Sequence, residues 1–333
     1  MRPHPPILAL ALGAVLALTA GCSSTGSTIA GPATTGTAGA GSPNPSTAPT
    51  GATSRQDTTP NADGPCPVAP ISVVVSVDQW GDVVEQLGGK CTNVTTIISG
   101  SSADPHEYEP TPGDAAKFTG AKLVVFNGLD YDPWAEKAVE TLSPKPAVVN
   151  GGEVVGLGEG DNPHIWYGPD YVSRVSKAVS AELTTLAPGA ATYFEQQAVA
   201  WDSAMRPYRD EIAAIKKAPS GRTYAATESV FDYMAQAVGL KDLTPTGYQN
   251  AAANESDPSP GDVNEFQTAL KDKTINVLVF NTQTEGAIPE QIRDTATSAS
   301  VPVVNVTETV PPGTTSFVDW QVAQLQDLRK ALA

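Results

Sequence analysis

From residue 71 onward, apolar and polar positions switch repeatedly between two periods. Ile71-Ser72-Val73-Val74-Val75-Ser76-Val77 is a nearly unbroken β-branched run, the pattern of a strand buried on both faces. Trp80–Leu87 then has helical spacing and closes at Gly88-Gly89. The same alternation predicts strands at Val94–Ile98, Lys122–Phe126 and Val148-Val149, with helices near Pro112–Phe118 and Pro133–Leu142. From Pro169 to about Lys217 the pattern is helical only, interrupted at Ala187-Pro188-Gly189. Tyr193, Gln197, Trp201, Met205 and Tyr208 form one stripe there, which reads as core packing. A single helix over about 190–217 would be about 40 Å long. After Pro219-Ser220-Gly221 the alternation returns, with strands at Arg222–Ala226, Ile275–Phe280 and Val301–Val306. Helices are expected at Ser229–Val238, Ser259–Leu270, Pro289–Ser298 and Phe317–Leu332. Strands linked by helices imply βαβ units and parallel sheets. The expected class is α/β: two (β/α) lobes, residues 65–168 and 219–333, with a helical linker at 169–218 and a ligand cleft between the lobes.

The first 64 residues carry no such pattern. Residues 1–21 read as a secretory signal peptide: Arg2 supplies the positive end, and the apolar run Ile7–Leu18 is too short for a membrane span. The run leads into Leu18-Thr19-Ala20-Gly21-Cys22, which resembles a bacterial lipobox, so Cys22 is the expected lipidation site. Residues 22–64 are rich in Ser, Thr, Gly, Ala and Pro and offer little to bury. They are expected to form a disordered tether of roughly 35 Å r.m.s. span, holding a globular body off the outer face of a bacterial membrane.

Charge narrows the partners. Twenty Lys and Arg against 36 Asp and Glu give a formal net charge of −16, which excludes the basic footprint of a nucleic-acid binder and suits a protein that handles cations. With Cys22 assigned to lipid, Cys66 and Cys91 remain, each just before a predicted strand. If those strands are parallel neighbours their starts adjoin, and a disulfide can form in an oxidising compartment. Closing that loop would contribute about 3 kcal/mol. A cysteine metal site is the rival reading, and the chain has no further thiol to support it.

The chain has three histidines, and His4 lies in the expected signal peptide. The other two each follow a proline, in Asp104-Pro105-His106-Glu107-Tyr108-Glu109-Pro110 and Asn162-Pro163-His164-Ile165-Trp166. His106 follows strand Val94–Ile98 and His164 follows Val148-Val149; Glu228 comes after Arg222–Ala226, and Glu285 a few residues after Ile275–Phe280. All four therefore fall beyond strand carboxyl ends, where open α/β sheets bind ligands. Imidazole with carboxylate suits first-row divalent metals, Zn²⁺ and Mn²⁺ among them. Each residue also has a plain structural reading: a capped turn for either Pro-His pair, a helix-start acid for Glu228, a solvated loop acid for Glu285. Glu107 and Glu109 read as surface or supporting groups. A secreted metallohydrolase with the same ligands and a metal-stabilised adhesin are the alternatives, although neither a His-Glu-x-x-His helix nor a Gly-x-Ser-x-Gly elbow occurs.

Four segments resemble the zinc- and manganese-specific solute-binding lipoproteins of ATP-binding-cassette importers. They are Ser102-Ala103-Asp104-Pro105-His106-Glu107-Tyr108-Glu109-Pro110-Thr111-Pro112, Asn127-Gly128-Leu129-Asp130-Tyr131-Asp132-Pro133-Trp134, Asn162-Pro163-His164-Ile165-Trp166 and Ala226-Thr227-Glu228-Ser229-Val230-Phe231-Asp232-Tyr233. The resemblance implies two lobes joined by a rigid helix and one buried metal, handed on to a membrane permease by a non-enzymatic, monomeric carrier. By the same resemblance His106 and His164 are ligands, and Glu228 matches a position held by His or Glu. The fourth position is usually an aspartate in a loop after a strand. Glu285, in Asn281-Thr282-Gln283-Thr284-Glu285-Gly286, is the expected match, with Glu255 as the alternative. The chain lacks the histidine-rich loop and third histidine common in zinc-specific members, so its harder donor set leans toward Mn²⁺, with Zn²⁺ the other candidate.

Overall fold

The computed structural model describes residues 64–100, 108–217, 221–254, 256–284, 286–314 and 316–333. The first half runs β1 (Ile71–Val77), α1 (Asp78–Gly88), β2 (Thr92–Ile98), α2 (Pro112–Lys117), β3 (Leu123–Phe126), α3 (Pro133–Thr141), β4 (Ala147–Asn150) and α4 (Gly151–Val155). Its sheet is wholly parallel in the order β2-β1-β3-β4, with Val73 opposite both Val94 and Leu123. Burial explains the composition: Val73, Val75 and Val77 are inaccessible to solvent and Val74 nearly so, because helices cover both faces.

Three helices follow: α5 (Pro169–Leu186), α6 (Ala191–Ala204) and α7 (Arg206–Lys216). The single helix expected over 190–217 is thus two, with the break at Met205. Pro207 lacks the amide hydrogen that would continue the ladder, and its ring crowds the preceding turn. The aromatic stripe is core, as expected: Tyr193, Gln197, Trp201, Met205 and Tyr208 are all buried.

The second half comprises β5 (Thr223–Ala226), α8 (Asp232–Val238), β6 (Lys241–Asp242), α9 (Thr246–Ala253), α10 (Pro260–Lys271), β7 (Val277–Asn281), α11 (Ala287–Ser298), β8 (Val303–Val306) and α12 (Phe317–Ala331). Its parallel sheet has the order β6-β5-β7-β8, the same winding as the first. Strand alternation sends Tyr224, Ala226, Val277 and Val279 to the large core shared with the first half. Ala225 and Leu278 face a smaller core with Tyr248, Phe266 and Ile292. Helix α12 returns to pack on α7, β8 and α1.

Cys66 and Cys91 form a disulfide. The register explains it: Ile71 lies opposite Thr92, so the chain entering β1 and the residue before β2 start side by side. Among the described residues no helix is long and apolar enough to cross a membrane.

Candidate metal centre

In each sheet the chain reverses its direction of winding between two central strands, β1 and β3 in one and β5 and β7 in the other. A crevice opens beyond the carboxyl ends of such a pair. Gln79 and Asn127 follow β1 and β3, while Glu228 follows β5 and Asn281 ends β7.

His164 reaches this crevice from the loop before α5, and its orientation is fixed. Asn162 Nδ2 donates to Ser229 O at 2.8 Å, which leaves Oδ1 as the acceptor. That oxygen takes the His164 backbone N–H at 3.0 Å and lies 2.7 Å from His164 Nδ1. Nδ1 therefore carries the proton, and Nε2 presents a lone pair. Nε2 in turn lies 3.8 Å from Glu308 Oε1, with side-chain exposures of only 8% and 14%. Two Lewis bases facing each other in a nearly dry site are stabilised by a shared cation.

The His164 loop is braced from both halves. Tyr233 donates to Asn162 O at 2.8 Å, and Asn127 Nδ2 donates to Pro163 O at 2.9 Å. Asn127 is held by Trp80 Nε1 at 3.0 Å, and its own N–H goes to the buried Asp132 carboxylate at 2.7 Å. Asp132 also accepts from Gly128 N at 2.8 Å and Ser76 Oγ at 2.5 Å. It thereby closes a turn in which Gly128, Leu129 and Asp130 all have positive φ. Burial nevertheless pushes the Asp132 carboxyl up to about 6.

That turn delivers Tyr131, fully buried, to the crevice. Its ring stands edge-on to His164 with centroids 6.2 Å apart, and its hydroxyl is hydrogen-bonded to the Glu308 carboxylate. Gln79 Nε2 donates to the Tyr131 hydroxyl at 2.9 Å and to Glu308 O at 3.0 Å. On the other side Gln283 Oε1 accepts from Glu308 N at 2.6 Å and Thr309 N at 2.9 Å. Glu308 is thus fixed at backbone and side chain by both halves of the molecule.

Glu228 completes the described part of the centre. Its Oε2 accepts from Asn281 Nδ2 at 2.5 Å. Burial raises its carboxyl above the usual glutamate range against that hydrogen bond, and the charges of Glu308 and His164 both act on it, one raising and one lowering. The two acids and the imidazole therefore share one electrostatic environment. The broad concavities between α10 and α11 and between α5 and α6–α7 contain none of these side chains.

His106, Glu285 and Glu255 lie outside the described residues, as does Cys22. Both flanks of the His106 segment are anchored: Gly100 N donates to Asp78 at 2.6 Å, and Tyr108 donates to Asp114 at 2.7 Å while packing edge-on to Trp134. Among the described residues alone, no group of three or more His, Cys, Asp or Glu is close enough to hold a metal ion. The sequence reading did not single out Glu308, which stands two residues past β8, the same strand-end placement that singled out Glu228.

The family profile described as Zinc-uptake complex component A periplasmic matches residues 73–331. The chain belongs to this family. As a member of the Zinc-uptake complex component A family, it is 24% identical over 234 residues to the high-affinity zinc uptake system protein ZnuA of Bacillus subtilis (strain 168), covering 64% of this chain and 71% of that protein. It is 24% identical over 235 residues to the manganese-binding lipoprotein MntA of Halalkalibacterium halodurans, covering 68% and 75%. Among solved structures it is similar to the periplasmic zinc binding protein TroA from Treponema pallidum, with a TM-score of 0.67 and 20% identity over 80% of this chain and all of that one. The manganese-bound S38A mutant of a periplasmic metal binding protein from Candidatus Liberibacter asiaticus gives a TM-score of 0.67 at 18% identity over 79% of this chain and all of that one. These likenesses show the fold: two parallel-sheet α/β lobes. Both zinc and manganese appear among the family members' names, so membership alone leaves the metal open.

Proposed function

We propose that this protein captures one divalent transition metal, Zn²⁺ or Mn²⁺, outside the cytoplasm and delivers it to the permease of an ATP-binding-cassette importer. It is a carrier and not an enzyme. The observation that carries the reading is the pairing of His164 Nε2 with Glu308 across 3.8 Å, at the crevice shared by both sheets of a member of this family. We assign His106, His164 and Glu228 as ligands and Glu308 as the fourth, in place of Glu285 and Glu255. Glu308 is preferred because its carboxylate faces the imidazole and its backbone is clamped by Gln79 and Gln283. Lipidation at Cys22 after removal of residues 1–21, with 22–64 as a tether, would keep a monomeric carrier beside its permease. Two imidazoles and two carboxylates carry a net charge that cancels a divalent cation, which supports binding in a site this buried.

The test is calorimetric titration of metal-free protein with Zn²⁺ and Mn²⁺. One ion per chain is expected, with binding lost when His106 and His164 are both replaced by alanine. Absence of stoichiometric binding, or binding that survives both substitutions, contradicts the proposal.

A further inference from the structure

We propose that the hollow between α5 and α6–α7 is a second binding site, which takes an organic amine with an apolar body and a neutral polar group at its far end. It shares no side chain with the metal centre and does not depend on the metal-capture reading.

The sequence leaves this space open. Ser173, Ser176 and Ser180 recur at helical spacing along α5 and line the hollow, as does Ala198 of α6. Side chains this short do not fill the gap between packed helices, and a volume of about 640 Å³ remains, within the range of small-molecule sites. The rest of the wall is apolar and aromatic, with Leu87, Val172, Trp201, Met205 and Tyr208.

Two polar atoms on that wall are unused. Ser176 is 4% exposed and Tyr208 1%, and neither hydroxyl oxygen has a hydrogen-bond partner. Buried hydroxyls are nearly always bonded, so two of them on one hollow point to a ligand that supplies their partners. Burial first, and then the charge of Asp170, push the Tyr208 hydroxyl well above the usual tyrosine range. It therefore stays neutral, able both to donate and to accept.

Charge selects the ligand's head. Asp170, in the first turn of α5, lines the same hollow, and its carboxylate has no ion-pair or hydrogen-bond partner among the described residues. Arg209 also lines it, but its guanidinium is engaged by Asp202 at 3.0 Å. An ammonium beside Asp170 gains a charge partner and the Tyr208 oxygen as acceptor, and aromatic walls attract a cation but not an anion. The exposed ammonium of Lys177, two turns along α5, favours that head at the Asp170 end. Ser176 lies six residues beyond Asp170, about 9 Å along the helix axis, and meets the neutral polar group at the other end of the ligand. The formal net charge of −16 adds long-range attraction for a cation.

Tyramine carries an ammonium, an aromatic body and a distal hydroxyl, and serves as the probe in an NMR titration of metal-free protein. One molecule per chain is expected, with a dissociation constant of about 1 mM for a ligand of this size. Its carboxylate counterpart, 3-(4-hydroxyphenyl)propionate, should bind at least about fivefold more weakly. Asp170→Asn, Tyr208→Phe and Ser176→Ala should each weaken tyramine about fivefold, the worth of one hydrogen bond or partly exposed charge pair. Glu140→Gln, which removes an exposed acid on α3, should stay within twofold and so controls for overall charge. 2-Phenylethylamine, which lacks the hydroxyl, should bind wild type and Ser176→Ala alike. Because both hydroxyls are unbonded in the free protein, Ser176→Ala and Tyr208→Phe should leave Tm unchanged or higher. No saturable binding, equal binding of the carboxylate, or Asp170→Asn within twofold of wild type overturns the proposal. So does a lower Tm in both hydroxyl variants, which would show that the fold itself uses those groups.

Discussion

Replacing Asn162 by alanine should weaken metal binding without unfolding the protein. The side chain holds the His164 imidazole through Oδ1, 2.7 Å from Nδ1, and ties the loop to the second half through Nδ2 and Ser229 O at 2.8 Å. Its removal frees the ring to rotate and lets the proton move to Nε2, the nitrogen needed by the metal. Each lost hydrogen bond is worth about 1 kcal/mol net, and partners that orient a metal-bound imidazole contribute about 10–100-fold in affinity. A loss of about 10–100-fold in zinc affinity is therefore expected for Asn162→Ala, or about 1.4–2.8 kcal/mol. Asn162→Asp keeps an acceptor for Nδ1 but loses the donor to Ser229, so it should recover most of that affinity. Competition titration near pH 7.5 measures both, and Asn162→Ala in a His164→Ala background should cost nothing further. The reasoning is refuted if Asn162→Ala stays within twofold of wild type, or if its cost persists without His164.

Three further outcomes follow from the fold. Replacing Cys66 and Cys91 together by serine opens a loop with a sequence separation of 25 at the amino ends of the strands. It should cost about 3 kcal/mol and lower Tm by about 6–12 °C in calorimetry, while leaving metal affinity unchanged because the site lies at the opposite strand ends. Gly128→Ala should destabilise by about 2 kcal/mol or more and also weaken metal binding. Gly128 has φ of 74°, and an added Cβ would lie 2.2 Å from Asn150 Oδ1, beside the Asn127 that braces Pro163. For pH, burial raises Asp132 and Asp232 from 3.8 to about 6 in the folded chain. The folded state then holds these protons more tightly, so their contribution is full below about pH 4 and is lost as pH rises through 6, by up to about 3 kcal/mol for Asp132. Asp114, held well below the usual range by Lys117 first, titrates beneath this window. Metal-free protein should accordingly gain Tm between pH 7.5 and 5.5, measured by calorimetry; a metal-free Tm that falls over that range contradicts the reasoning.

The strands were legible because both sheets are buried on two faces, which demands the apolar runs seen at β1, β3 and β7. The disulfide was legible for a related reason, since parallel register places the starts of β1 and β2 together. What failed had no pattern to read, or a competing one. Strand β6 is only two residues long, and α9 buries only Tyr248, so it presents no stripe. In the linker, the continuous aromatic spacing masked the break imposed by Pro207. At the site, His164 and Glu228 stood out by residue type after a strand. Glu308 did not, because what distinguishes it is long-range: Gln79, 229 residues away, holds its carbonyl, and Tyr131 holds its carboxylate. No local spacing encodes such partners.

The central claim is that one cation sits between the two sheets. Anomalous difference density from crystals of zinc-loaded protein tests it most directly. The account predicts a single peak within bonding distance of His164 Nε2 and carboxylate oxygens of Glu228 and Glu308, with His106 completing the set. A peak that engages Glu285 or Glu255 in place of Glu308, or zinc found only at the surface, would contradict it.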